Sequence, residues 1–157
     1  MLQEGITMNV ILIGLFAFMA MELVSYLAHR YLYHGIGWVF HKSHHSRREG
    51  PFELNDIFPM IFATISIALI LWGLAADLPA IVAAAVGVSA YGMLYFFVHD
   101  LYIHRRIRSL PLRIPFLLAV KKAHAIHHKY GGEPYGLLLF FTRDQVLKED
   151  ISHETVV

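Results

Sequence analysis

Three long apolar runs constrain this chain more than anything else in it. Residues 8 to 28 (MNVILIGLFAFMAMELVSYLA) carry one charge, Glu22, and residues 57 to 76 (IFPMIFATISIALILWGLAA) and 78 to 98 (LPAIVAAAVGVSAYGMLYFFV) carry none. A run of about 20 residues makes a helix of about 30 Å, the thickness of a bilayer's hydrocarbon core. Helices buried in a soluble protein would be shorter or keep a polar face, and these have none. The 157-residue chain is therefore expected to be one all-α integral membrane domain over 1–157, with spans at about 8–28, 57–76 and 78–98. The first run is not expected to be a cleaved signal, since no basic residue precedes it. Two shorter apolar stretches, LPLRIPFLLAV (110–120) and PYGLLLFF (134–141), are expected to be interfacial segments.

Charge sets the expected orientation. The turn around Asp77 has no Lys or Arg, and neither does the segment before the first run. All 13 basic residues fall on the other side: Arg30, Lys42, Arg47 and Arg48, then nine more after residue 98. The positive-inside rule makes that side cytoplasmic and places the N-terminus outside and the C-terminus inside. With no transit-like segment visible, the expected location is a bacterial inner (plasma) membrane. Residues 29–56 and 99–157 would then form a cap on one face.

That cap holds the histidines. HRYLYHGIGWVFHKSHH (29–45) contains His29, His34, His41, His44 and His45; the spacing returns in HDLYIH (99–104) and HAIHH (124–128), with His99, His104, His124, His127 and His128. Histidines at i, i+3 and i+4 share one side of a helix, and the adjacent pair diverges by about 100°, so its two rings can serve two ions. The pairs five apart are poorly aligned on a regular helix and call for a span end that unwinds or tightens. Packing does not ask for imidazole repeatedly at fixed spacing, so the ten are candidate metal ligands. His153, alone in the tail, is not.

Ten nitrogens exceed the needs of one ion, which takes about four ligands in a structural zinc site, so two ions are expected. Imidazole suits several transition metals and does not choose among them. The chain has no cysteine, which excludes disulfides, thiolate-ligated haem and cysteine-held iron–sulfur clusters. The Glu-x-x-His pattern of soluble di-iron bundles is absent. Two stacked bis-histidine haems would use only four histidines, placed along helices within the span, so a histidine-rich di-iron site beside the bilayer is the strongest reading.

The stretches AHRYLYHGIGW, FHKSHH, FELNDIF, AYGMLYFFVHDLYIHRR and KAHAIHH resemble the boxes of the membrane-bound di-iron hydroxylase and desaturase superfamily (fatty acid hydroxylases and sterol desaturases). Within it they are most similar to bacterial β-carotene 3-hydroxylases, over about residues 20 to 140. The stretch after the last box, KYGGEPYGLLLF, is shorter than in that family. The resemblance implies two iron ions, O2 as co-substrate, and hydroxylation of the β-ionone rings of β-carotene at C3 to β-cryptoxanthin and zeaxanthin. It implies the ten histidines above as ligands, with nine binding directly beside a water as one arrangement. It also implies a lipid-dissolved carotenoid and an external electron donor such as ferredoxin with an NAD(P)H-dependent reductase; nucleic acid is not an expected partner. The alternatives are a fatty-acid or sterol hydroxylase or desaturase of the same superfamily, a ketolase acting on the same ring, or a membrane metal transporter or metal-binding protein.

Metal-bound imidazoles usually anchor their second nitrogen on an acceptor. Asp100, Asn55 and Asp56 are the candidates, with helix capping the plainer alternative for the last two. Glu22, a carboxylate inside a span where charge is costly, is expected to face the bundle interior and anchor a ligand histidine, with a protonated carboxyl hydrogen-bonded to a neighbouring helix as the plainer alternative. The run Arg105, Arg106, Arg108, Arg113, Lys121 and Lys122 reads as a lipid anchor with some donor docking. Ala83, Ala84, Gly87 and Ala90 read as a helix-packing face.

Overall fold

The computed structural model describes residues 2–46, 50–106 and 111–138; Arg47, Arg48, Arg108, His153 and the last residues of the 134–141 stretch lie outside that range. The described residues are helical where they are regular, with no strand. Helix α1 (Leu2–Leu27) runs on into a π-helical segment, Ala28–Ile36. A single turn of helix, α2 (Trp38–His41), follows. A 3-10 turn (Leu54–Asp56) leads into α3 (Ile57–Ala75). α4 (Pro79–Tyr95) ends in a second π-helical segment, Phe96–Ile103, and α5 (Pro115–Tyr130) lies beside that end.

Local chemistry accounts for these boundaries. Glu53 and Asp56 form a reciprocal capping box ahead of α3. Pro79 and Pro115 open α4 and α5 where no intrahelical donor is needed. Asp77 takes the turn between α3 and α4 at φ 54°, and Gly131 (φ 72°) closes α5, its N–H bonded to the His127 carbonyl at 2.7 Å.

Three helical stretches are long and apolar enough to cross a membrane: Met8–Ile36, Leu54–Ala75 and Pro79–Ile103, of 29, 22 and 25 residues. Their large side chains point outward, Phe16 (75% exposed), Met60 (67%) and Leu71 (62%) among them. Such surfaces are stable only against lipid. This is a membrane protein. The first and third spans run longer than expected, because each continues past the hydrocarbon as the π-helical segment that carries histidines.

α1 and α3 each pack on α4 and make hardly any contact with each other. The α1–α4 crossing is close: a Cβ on Gly87 would stand 2.2 Å from the Gly14 carbonyl oxygen, and one on Gly14 would stand 3.2 Å from that of Ala83. Of the expected packing face, Gly87 and Ala83 make this crossing, whereas Ala90 is exposed. α1 and α4 run the same way between the faces and are held in register, so both π-helical ends emerge together.

Beyond the spans, Val98, Tyr102, Ile103, Val120 and Leu137 form a small core that docks α5 on the end of α4. Of the two short apolar stretches, the first keeps Leu112, Ile114, Phe116 and Leu118 exposed, as an interfacial segment would, while the described part of the second packs on protein. Residues 115–120 are the first turns of α5, with Val120 buried, and Pro134 and Leu137 are buried as well.

Candidate metal centre

The π-helical ends solve the five-residue spacing. A π-helix closes its bonds from i to i+5, so its wider turn brings residues five apart toward one face. The His104 N–H donates to the His99 carbonyl at 2.9 Å, and Gly37 N–H donates to the Leu32 carbonyl at 2.7 Å, both across five residues. The span ends unwind rather than tighten. His29 and His34 ride on the first segment and His99 on the second, with His104 at its end.

Nine of the ten histidines fall into two groups. In one, His29, His34, His41, His45 and His127 each bring a ring nitrogen within 4.8 Å of all the others; in the second, His44, His99, His104 and His124 do the same. Each copy of the sequence pattern contributes to both groups. His44 leaves the first copy to join the second group, and His127 makes the reverse exchange. The adjacent His44 and His45, which lie in the turns after α2 rather than on a helix, thus serve different groups. His128 stands between them, stacked on His45 at 4.3 Å and 4.5 Å from the His124 ring. Among the described residues, its Nε2 is a buried side-chain nitrogen with no hydrogen-bond partner.

The outer nitrogens are anchored. His29 Nδ1 donates to the Tyr135 carbonyl (2.8 Å) and His127 Nδ1 to the Gly132 carbonyl (2.6 Å). His41 Nδ1 meets Asn55 Oδ1 (2.7 Å), His44 Nδ1 meets Glu53 Oε2 (3.0 Å), and His99 Nδ1 meets Asp100 Oδ2 (3.3 Å). Carbonyl and carboxylate oxygens only accept here, so the proton sits on Nδ1 and Nε2 is left with a bare lone pair. Yet His29 Nε2 faces His41 Nε2 at 3.1 Å, and His44 Nε2 faces His99 Nε2 at 3.1 Å. Two lone pairs at that distance repel unless a cation lies between them. Two nitrogens at right angles around an ion with bonds of about 2.1 Å stand about 3 Å apart. The donor set, its tautomers and its spacing fit metal in each group.

Burial also keeps six of the rings outside the spans neutral, the form that binds metal. It pushes His41 and His104 down to about 3 and His45 and His127 to about 4, with neighbouring imidazoles adding to the effect. His124 and His128 are driven down for the same reasons.

The expected anchors are placed as follows. Asn55 holds His41 and Asp100 holds His99. Asp56 instead accepts from the Glu53 N–H and pairs with Arg106, so its role is capping and charge pairing. Glu22 is buried (4% exposed) and faces inward, and its carboxylate accepts from Tyr91 Oη on the neighbouring α4 (2.7 Å) and from the backbone N–H groups of Leu137 (3.0 Å) and Leu138 (2.8 Å). It ties the segment after α5 to α1, and that segment supplies the Tyr135 carbonyl to His29. Glu22 thus bears on a histidine through the backbone.

Sequence reasoning missed Glu53, whose carboxylate the His44 hydrogen bond holds below its ordinary range. Its capping spacing with Asp56 was the available signal. It also missed Arg106, expected on a lipid-facing run. The guanidinium turns inward to Asp56, to Asp100 at 3.3 Å and to Glu53 at 3.7 Å. One cation thereby steadies the two carboxylates that hold His44 and His99. The carbonyls of Gly132 and Tyr135 leave no mark in a sequence, since every residue carries one.

Residues 14–148 match the fatty acid hydroxylase family model. A β-carotene hydroxylase of Pantoea ananas is 44% identical over 115 residues, 72% of this chain and 65% of that one. A second, from Pseudescherichia vulneris, is 42% identical over 123 residues, 77% of this chain and 69% of its own. The chloroplastic β-carotene 3-hydroxylase of Gentiana lutea is 43% identical over 129 residues, 78% of this chain but 40% of its own. The chain spans about two fifths of the length of such plant relatives. No solved structure matches. Histidine boxes, membrane helices and these relatives lead to one assignment: the chain belongs to the fatty acid hydroxylase family, where it stands with the β-carotene hydroxylases.

Proposed function

We propose that this chain is an O2-dependent di-iron monooxygenase that hydroxylates the β-ionone rings of β-carotene at C3, giving β-cryptoxanthin and then zeaxanthin. The observation that carries the reading is the opposed lone pairs, His29 against His41 and His44 against His99, one pair in each group. Two iron ions held there supply the means to reduce O2 and oxidise an unactivated C–H bond. The reaction balances as one C–H converted to C–OH and one oxygen atom released as water, with two electrons and two protons from outside.

On this reading His29, His34, His41, His45 and His127 hold one ion and His44, His99, His104 and His124 the other. His128 is a fifth nitrogen for the second set, in the place His45 takes in the first. The chain's own part is to lock the rings. Tyr135, Asn55, Glu53, Asp100 and Gly132 fix each tautomer, and Arg106 holds the two acids in place. Burial of the rings beside apolar helix ends keeps bulk water from the reacting carbon. The names of the bacterial and plant relatives support the carotenoid; a bilayer-dissolved substrate also suits a site at the ends of membrane helices.

The histidine face is cytoplasmic in this reading, with the N-terminus outside and a bacterial plasma membrane as the setting. Electrons come from a soluble donor such as ferredoxin with an NAD(P)H-dependent reductase. Since Arg106 is paired internally, donor or lipid docking falls to Arg105, Arg113, Lys121 and Lys122.

The test is expression in cells that accumulate β-carotene, with pigments separated by chromatography and identified by mass. Mono- and dihydroxylated products, lost in His44→Ala and His127→Ala, support reaction and site together. Unaltered carotene with two irons per chain discards the substrate and turns attention to acyl chains and sterols. Substoichiometric, exchangeable metal without O2 consumption favours a metal-binding or transport role.

A further inference from the structure

α1 and α3 splay apart over α4, and the wedge between them encloses a cavity of about 390 Å³. Its walls are apolar side chains such as Met21, Phe62, Ile67 and Met93, with Ser25, Ser66 and Ser89 among them. From Ile67 to Pro59 it extends about 12 Å along the helices at about 1.5 Å per residue. Its upper end is flanked by Tyr33 and Tyr95, and these two rings reach different histidine groups. Tyr33 lies 5.5 Å from the His41 ring and 5.9 Å from that of His29, in one group; Tyr95 lies 4.6 Å from His99, in the other. The cavity thus sits beneath both groups at once.

Gly92 makes the cavity more than a packing gap. A glycine inside a helix weakens it, so it needs a reason. Gly14, Gly73 and Gly87 have one: an added Cβ would lie 3.2, 2.8 and 2.2 Å from a neighbouring helix or turn. Gly92 meets nothing within 4 Å. The space over it is the cavity it lines. Helix packing does not require that glycine, which leaves room for an occupant.

We infer that this wedge is the binding site for one end of the substrate, and that Gly92 is a specificity-determining residue. The inference rests on the carotenoid reading above and deepens it. A substituted cyclohexene ring enters from the lipid between α1 and α3, lodges over Gly92 and reaches between Tyr33 and Tyr95 toward the two histidine groups. The polyene trails past Ile67 and Val88 into the bilayer. The volume takes one ring and a few conjugated carbons, so the two ends of the molecule are presented one at a time. The serine hydroxyls are few among the apolar walls, which selects for hydrocarbon.

The experiment fills the cavity from two walls. Gly92→Leu adds bulk where the backbone is unobstructed, and Ala63→Phe does so from α3, where Ala63 is exposed. Leu71→Phe, on the lipid face of α3, is the control. Each protein is purified in nanodiscs with β-carotene under anaerobic conditions, where no product forms, and pigment retained per chain is measured beside iron content. Hydroxylation is then measured in air. The expected result is about one pigment per wild-type chain, with at least tenfold less pigment and product in both filled variants, iron unchanged, and the control like wild type. Filled variants that retain and hydroxylate the pigment like wild type overturn the site and leave the reaction standing. So does a wild-type chain that retains none. Retention lost in the filled variants, with no product from any chain, keeps the site and discards the reaction.

Discussion

The side chains that decide whether this site holds metal are mostly not its ligands. Asn55 accepts the His41 proton at 2.7 Å and so determines which nitrogen His41 turns inward. Loss of such an anchor typically lowers metal affinity by about 10- to 100-fold. Asn55→Leu is expected to do that to the first group alone, giving protein near one iron per chain, while Asn55→Asp retains two; metal analysis after limited chelation reads the difference. Two irons in Asn55→Leu would show that His41 needs no anchor. Glu22 acts at longer range. Removing its carboxylate in Glu22→Leu strands the Tyr91 hydroxyl and the two amide donors of Leu137 and Leu138, at about 1–3 kcal/mol for each buried group left unpaired. Glu22→Gln keeps one oxygen for the amides and presents its NH2 to Tyr91 Oη, which can accept. Thermal unfolding in detergent should therefore rank Glu22→Gln close to wild type and Glu22→Leu far below it; equal losses would contradict the backbone tie. Glu22 was legible as an inward-facing carboxylate because a span tolerates charge only there. Its partners were not, since two of them are backbone amides of a segment 115 and 116 residues away.

At the scale of elements, the two histidine-bearing ends meet because α1 and α4 cannot slide past each other. Gly87 against Gly14 sets that register. Gly87→Leu would drive a side chain into backbone 2.2 Å away, where no rotamer change relieves it, so the helices must separate. The expected outcome is loss of iron from both groups together, unlike the single loss from Asn55→Leu, with the chain still inserted in the membrane. Full iron content in Gly87→Leu would remove this crossing from the account. Apolar length made the three spans readable, and the repeated histidine spacing marked the residues that gather, though each i, i+3, i+4 run is divided between the two groups. Only the outline of the π-helical ends was visible: five-residue spacing says that an α-helix fails, not which way the turn changes. The exchange of His44 and His127 between groups was hidden for a different reason. It depends on how the turns after α2 meet α5, and no local pattern records that meeting.

For the molecule as a whole, apolar surroundings and close imidazoles make acid its point of weakness. His41, His104 and His127 are held at about 3, about 3 and about 4 by burial, against an ordinary value near 6.5 in the unfolded chain. A histidine with a lowered folded value contributes no penalty above pH 6.5. As pH falls below that, the unfolded chain takes up protons that the folded one refuses, and stability declines until the folded value is reached. At pH 5.5 each such group costs about 1.4 kcal/mol, so three cost about 4 kcal/mol, a large share of an ordinary stability of about 5–15 kcal/mol. Metal-free protein in detergent should therefore melt at similar temperatures at pH 8 and 7 and at a clearly lower one at pH 5.5. A metal ion held by neutral imidazoles competes with protons, so metal-loaded protein should hold its melting temperature to lower pH than the stripped protein. A stripped protein whose melting temperature is flat from pH 8 to 5.5 would mean that these imidazoles charge freely in the fold. The opposed lone pairs would then be relieved by protons, and the strongest argument for metal in both groups would go with them.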